Sequence, residues 1–200
     1  MRRGVQKSVQ VDPSLIEHPV FHLGYAKQIL GEIPMDIKQD LSAEDFKLVF
    51  NTPLAAATLV AASSGGGFDM IKELTSASQF MASEAKKGGE SGYGELVDSL
   101  LAAILGMSKD EGKTLEMQYE KSQDPKAMIA QVRQTVVNGW AVVAALPGAD
   151  GFAKWVLDVA RAAALAKTGG HFGFGNKSEI DAQEQAALDD LAGIMVVPAA

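Results

Sequence analysis

The sequence predicts an all-α protein, folded as a compact bundle of about seven to eight helices with an internal duplication of a three-helix unit. No stretch of its 200 residues shows the sustained alternation of apolar and polar residues that marks a half-buried strand. The long segments are instead rich in Ala, Leu, Met, Glu, Gln and Lys, which favour helix. Hydrophobic residues make up 47% of the chain and charged residues 22%, a balance that supports a buried core and excludes wholesale disorder.

The charge balance and the cysteine count narrow the function classes. The formal net charge is −7 and the pI about 5.0, so phosphate backbones and anionic lipid are repelled and nucleic acid is not an expected partner. The absence of cysteine excludes disulfides, thiolate metal sites and thiol catalysis. The basic residues 1–7 are not followed by a signal-type apolar core, and no apolar stretch reaches the ~20 residues of a membrane span. We therefore expect a cytoplasmic protein without membrane insertion.

Four segments can be assigned in chain order. Residues 1–41 are predicted as an N-terminal extension with short helices, broken at Pro34. Residues 42–107 are predicted as the first three-helix copy, 108–123 as a linking helix and 124–200 as the second copy. All four are expected to belong to one compact domain.

The helix starts are predicted from capping residues. Ser42, Ser108 and Asp181 each stand three residues before a carboxylate, a pattern in which both side chains bond backbone N–H groups at a helix start. Asp124 precedes Pro125, and proline is favoured at the first helical position. These four positions fix where the predicted copies and the linking helix begin.

The duplication is predicted from a repeated order of landmarks. In both copies, the first helix has an apolar end that is followed by a glycine turn and a phenylalanine. The next helix ends in lysine and paired glycines, and an aromatic residue between two glycines comes after it. The landmarks are Phe68 and Phe152, Gly88-Gly89 and Gly169-Gly170, and Tyr93 and Phe174. The alternative is convergent use of ordinary helix punctuation.

The second helix of the second copy is predicted to lie at the centre of the bundle. The run 160–166 is small on nearly every side, so this helix can approach neighbours on more than one face. Trp155, Val156 and Val159 lie on its predicted apolar stripe.

Two glycine-rich stretches are candidate ligand sites. Ser64 and Gly66 lie in a glycine turn before a helix, where successive backbone N–H groups can hold an anion; the turn lacks the lysine of a Walker loop, and the alternative is a plain turn. His171 and Phe174 lie in a second such stretch. Phe174 and its counterpart Tyr93 could contact a partner or a flat ligand, or could plug the bundle between glycines that permit tight turns.

A divalent-metal site is a further candidate. Asp69 and Asp150 occupy equivalent turns of the two copies, and carboxylate oxygens are ligands for divalent cations. The alternative is that each acid complements the dipole at a helix start. No cofactor is expected.

The end of the chain resembles known helical proteins. The motifs are Thr168-Gly169-Gly170, Gly173-Phe174-Gly175 and the helix start at Glu184. The run 163–195 resembles the ending of a group of uncharacterised bacterial helical proteins, and it is more distantly similar to the tellurite-resistance TerB-like domains, which are also duplicated and all-helical. Asp150-Gly151 matches their acid–glycine turn. The resemblance implies a duplicated, all-helical fold and a location in the bacterial cytoplasm.

These observations favour a non-catalytic function. No cysteine, no Gly-x-Ser-x-Gly elbow and no legible serine–histidine grouping is present. Eight methionines and the loop aromatics suit adaptable contacts. We expect a helical-bundle protein with a stress-related role, acting through contact with another protein or through self-association. The alternative is a small-ligand or divalent-metal binding module that uses the glycine-rich helix-start turns.

Overall fold

The fold is known from a computed structural model. It describes residues 36–63, 68–117, 119, 124–168 and 180–196, with only the backbone described at 68, 69, 167 and 168. Within these ranges the chain forms α-helices and one short 3-10 helix and no strand, so the predicted all-α fold class is confirmed. The described helices are α1 (Ile37–Asp40), α2 (Ala43–Ser63), α3 (Phe68–Ala85), α4 (Glu95–Leu105), α5 (Lys109–Leu115), α6 (Pro125–Val143), α7 (Ala149–Ala164), the 3-10 helix Leu165–Thr168 and α8 (Ala182–Ile194).

The predicted helix starts are confirmed by capping contacts. The Ser108 hydroxyl accepts from the Glu111 N–H at 3.3 Å, and the Glu111 carboxylate accepts from the Ser108 N–H at 2.8 Å. Asp181 forms an equivalent capping box at the start of α8, and Asp124 caps α6 with proline at its first position. The Ser42 hydroxyl accepts a backbone N–H at 3.1 Å at the start of α2. Local side-chain chemistry therefore sets these boundaries.

Two of the predicted segment boundaries differ from those in the structure. The described residues, which lie between 36 and 196, all belong to one compact unit. Helix α1, predicted within the N-terminal extension, belongs to this unit because Ile37 is buried and its N–H donates to the Ser99 hydroxyl of α4 at 3.0 Å. The linking helix is shorter than predicted, since α5 ends at Leu115 rather than near residue 123.

Helix α2 forms the centre of the bundle together with α7. It packs most extensively against α6 and α7 and also contacts α3 and α8. Ten of its 21 residues are buried, and among them Ala55, Ala56 and Ala57 allow close neighbours. Within the described ranges, α2 is the one helix long and apolar enough to cross a membrane, a test that a buried core helix also passes.

A glycine defines the closest contact between α2 and α6. A Cβ atom at Gly139 would overlap the Thr52 hydroxyl and would lie 3.1 Å from the Leu48 carbonyl oxygen. Thr52 is itself held in place, because its hydroxyl donates to the Leu48 carbonyl at 2.8 Å. The crossing of these helices therefore requires the absence of a side chain at Gly139.

Helix α7 occupies the predicted central position. It contacts α2, α3, α4, α8 and the 3-10 helix, and nine of its 16 residues are buried. Phe152 and Trp155 are fully buried with their ring centroids 6.0 Å apart. Ala160 and Ala163 are also fully buried, which confirms the expectation that the small run lies inside the bundle.

The two predicted triplets, α2–α4 and α6–α8, repeat the order of helices but not their packing. Helix α2 packs against α3, whereas the described helices α6 and α7 barely touch. The repeat aligns Ile71 with Trp155, because each follows its landmark phenylalanine by three residues. Trp155 is fully buried, but Ile71 is 65% exposed. The common ancestry of the two triplets stays a prediction.

Candidate interaction surface

Helix α3 leaves one face uncovered. Its Glu73, Ala77 and Glu84 are buried, while exposed residues recur every three or four positions on the opposite side. We call this side the α3 outer face; its residues are Ile71, Thr75, Ser78, Ala82 and Lys86. The heptad-like spacing of 71, 75, 78 and 82 is that of a stripe facing another helix.

A groove runs beside this face. The described parts of α2, α3 and α4 enclose about 300 Å³ between them, which we call the three-helix groove. Eight of its ten lining side chains are apolar, and Ser78 and Lys86 are the polar members. The apolar lining residues are Phe50, Leu54, Met81, Ala82, Ala85, Leu101, Ile104 and Leu105. Leu105 marks its outer edge and is 60% exposed.

A shallower depression extends the groove along α3. It is open to solvent and is lined by α3 alone, at residues that include Ile71 and Leu74. It shares Ser78 and Ala82 with the three-helix groove, so the two form one continuous surface. From residue 71 to residue 86 this surface is roughly 22 Å long at 1.5 Å per helical residue.

Between residues 70 and 87, the exposed charged side chains along this surface are basic. Between residues 70 and 85 the acidic side chains are Glu73 and Glu84, which are 0% and 6% exposed. Glu84 forms an ion pair with Lys87 at 2.7 Å. Lys86 lines the groove and forms no ion pair within the described residues. The groove therefore ends at an exposed ammonium group.

The Tyr93 loop fixes α3 and α4 against α7. Positive φ angles at Gly92 and Gly94 form its turn, and a Cβ atom at Gly151 would overlap the Tyr93 carbonyl. The Tyr93 hydroxyl donates to Asp158 at 3.0 Å, and the Lys154 ammonium lies 5.0 Å from the centre of its ring. Desolvation and the hydrogen bond to Asp158 raise the pKa of Tyr93. Tyr93 is therefore partly buried against α7.

The predicted ligand and metal residues fall largely outside the described parts of the chain. Ser64, Gly66, His171 and Phe174 all lie there. The backbone of Asp69 is in the first turn of α3, but its side chain is not described.

Asp150 is exposed in the first turn of α7, where an acid complements the helix dipole. Among described side chains, no group of three or more His, Cys, Asp or Glu could hold a metal ion. The metal and ligand sites stay predictions.

The α3 outer face was not predicted from the sequence. The signal was available, because the outward residues Thr75, Ser78, Gln79 and Ala82 include no charge over two turns. Small uncharged residues on the solvent side of an amphipathic helix indicate a surface that tolerates contact.

No family model, no curated protein and no solved structure matches this chain.

Proposed function

We propose that the protein is a non-catalytic helical bundle that acts by contact with another protein or with a second copy of itself, through the α3 outer face and the three-helix groove. The observation that carries the proposal is the continuous apolar surface between Ile71 and Leu105, with both of these large side chains exposed. Contiguous apolar surface on a folded protein marks sites of interaction.

The ionisable groups support binding over acid–base chemistry at this surface. The pKa values of Tyr93, Glu111, Arg133 and Asp190 depart clearly from their ordinary values. Hydrogen bonds with Ser108 lower the pKa of Glu111, and a hydrogen-bonded ion pair lowers that of Asp190 while raising that of Arg133. None of these groups lines the three-helix groove, whereas catalytic acids and bases cluster in clefts.

Site-specific photocrosslinking tests the proposal. A photoreactive residue replaces Ala82 on the α3 outer face or, as the matched control, the exposed Ala192 on α8. In cells, we expect a discrete crosslinked species from position 82 and not from position 192. Light scattering on the purified protein then shows whether the species is a dimer of this chain. Equal crosslinking from both positions, or none from position 82, would contradict the proposal.

A further inference from the structure

We infer that the α3 outer face and the three-helix groove bind an amphipathic helix of a partner protein, with the helix's apolar stripe in the groove and a flanking carboxylate on Lys86. This inference rests on the proposed function and names the chemistry of the partner. The juxtaposition behind it is an apolar groove between α2, α3 and α4 that ends at the Lys86 ammonium.

The length of the surface fits a helix. Residues 71–86 span roughly 22 Å, the length of about four helical turns. A small molecule would fill the groove alone, but the adjoining depression at Ile71 and Leu74 continues the same surface. A helix-in-groove complex uses such a surface through apolar anchors at successive turns.

The shape of the surface also fits a helix. Along the α3 outer face, Thr75, Ser78 and Ala82 are small, which permits a second helix to approach closely. The exposed side chains Ile71 and Leu105 also line this surface and would pack against that helix.

The exposed charges of this surface indicate which kind of partner helix would bind to it. The exposed charged side chains of α3 and of the turn after it, between residues 70 and 87, are all lysines: Lys72, Lys86 and Lys87. The acids Glu73 and Glu84 are buried. Pairing residues 70–87 with the same residues of a second copy would place lysines near lysines and supply no exposed carboxylate from that range. A partner whose apolar stripe is flanked by glutamate or aspartate complements it instead.

The test uses two synthetic helical peptides of about 15 residues with the same leucine stripe, one flanked by glutamates and the other by lysines. Fluorescence anisotropy measures their binding to the full chain. We expect the glutamate-flanked peptide to bind more tightly. Lys86→Glu should weaken that binding by up to about fivefold, since an exposed charge pair is worth up to ~1 kcal/mol, and should strengthen binding of the lysine-flanked peptide.

Two further variants complete the design. Lys126→Glu is the matched control, because Lys126 is exposed and forms no ion pair in the described part of the chain; it should leave both affinities unchanged. Ala82→Trp fills the groove and should abolish binding of the glutamate-flanked peptide. A thermal melt checks that it is folded, and Ser78→Glu replaces it if it is not, with the same expected loss.

Three results would overturn the inference. The first is that the glutamate-flanked peptide does not bind. The second is that both peptides bind equally and Lys86→Glu has no effect. The third is that the chain forms a concentration-dependent dimer, which Ala82→Trp abolishes and Lys86→Glu leaves intact. Any of these together with crosslinking from position 82 leaves the proposed function standing without its acidic helical partner. Absence of crosslinking from position 82 would instead remove the proposed function itself.

Discussion

The two predicted triplets, α2–α4 and α6–α8, each contain three helices, yet the corresponding helices occupy different positions in the bundle. In the first, the opening helix α2 is central and the second helix α3 lies at the edge. In the second, the opening helix α6 buries six of its 19 residues, and the second helix α7 is central. The bundle is thus built around the first helix of one triplet and the second helix of the other.

The difference shows what local signals decide and what they leave open. Caps and glycine turns fix where a helix begins and ends. Which helix enters the core depends on side-chain volume, and α2 and α7 carry the alanine clusters that let neighbours approach on several sides. Helix α3 has buried alanines too, at Ala77 and Ala85. It also has small residues on its exposed side, at Thr75, Ser78 and Ala82, and the candidate interaction surface lies on that side.

The largest expected difference in stability is between alanine variants of Trp155 and Ile71, the two residues that the repeat aligns. Trp155→Ala should lower the free energy of unfolding by about 3–5 kcal/mol, because it empties a fully buried site. Ile71→Ala should change it by less than about 0.5 kcal/mol, because Ile71 lies mostly in solvent. Urea denaturation of both variants measures the difference. Comparable losses at the two positions would show that the triplets bury equivalent faces.

The next largest change in stability is expected at Gly139, where the two triplets are in contact. Gly139→Ala should destabilise by about 1–3 kcal/mol, since the new methyl group overlaps the Thr52 hydroxyl. Thr52→Ala in the same chain should recover part of this loss. Gly193→Ala is the control, because nothing lies within 4 Å of a Cβ there and alanine favours helix by up to ~1 kcal/mol. A stabilising Gly139→Ala would mean that α2 and α6 are further apart.

The Tyr93 loop, which joins the first triplet to α7, gives a smaller effect. Tyr93→Phe should cost about 0.5–1.5 kcal/mol through loss of the hydrogen bond to Asp158. Tyr119→Phe is the matched control and should cost less, because its hydroxyl lies 3.5 Å from that of Thr135.

The loss of stability at alkaline pH gives a second test of the role of Tyr93. The pKa of Tyr93 is raised in the folded state, so its contribution is complete below the ordinary value of 10.0 and is lost as pH rises above it. The parent chain should therefore lose stability above about pH 10 more steeply than Tyr93→Phe. Parallel curves in alkaline thermal melts would contradict this.

Much of the fold could be predicted from short-range patterns. Capping at Ser108, Asp124 and Asp181 gave the starts of α5, α6 and α8, and the apolar stripe around Trp155 identified the interior of α7. These features depend on neighbours within one helical turn, which a sequence displays directly.

The central place of α2 and the exposure of the α3 outer face were not predicted. Periodicity shows that a helix has an apolar or small face, but it does not show which of several such faces another helix will cover. The Gly139 contact with Thr52 joins residues 87 positions apart, and no local pattern records such a pair. The candidate interaction surface was missed for the same reason, because it is defined by what the rest of the bundle leaves uncovered.

The smallest expected effect lies within the second triplet, between α6 and α8. Arg133 donates to both carboxylate oxygens of Asp190, at 2.9 and 3.0 Å, but both side chains are about half exposed. Arg133→Gln should therefore cost only a few tenths of a kcal/mol at neutral pH. Arg133 lowers the pKa of Asp190, so the stabilisation is present above the ordinary value of 3.8 and is lost as pH falls through the lower folded pKa. Urea denaturation should show the cost at pH 7 and none near about pH 2, and a cost that persists in acid would show that Arg133 acts through packing rather than charge.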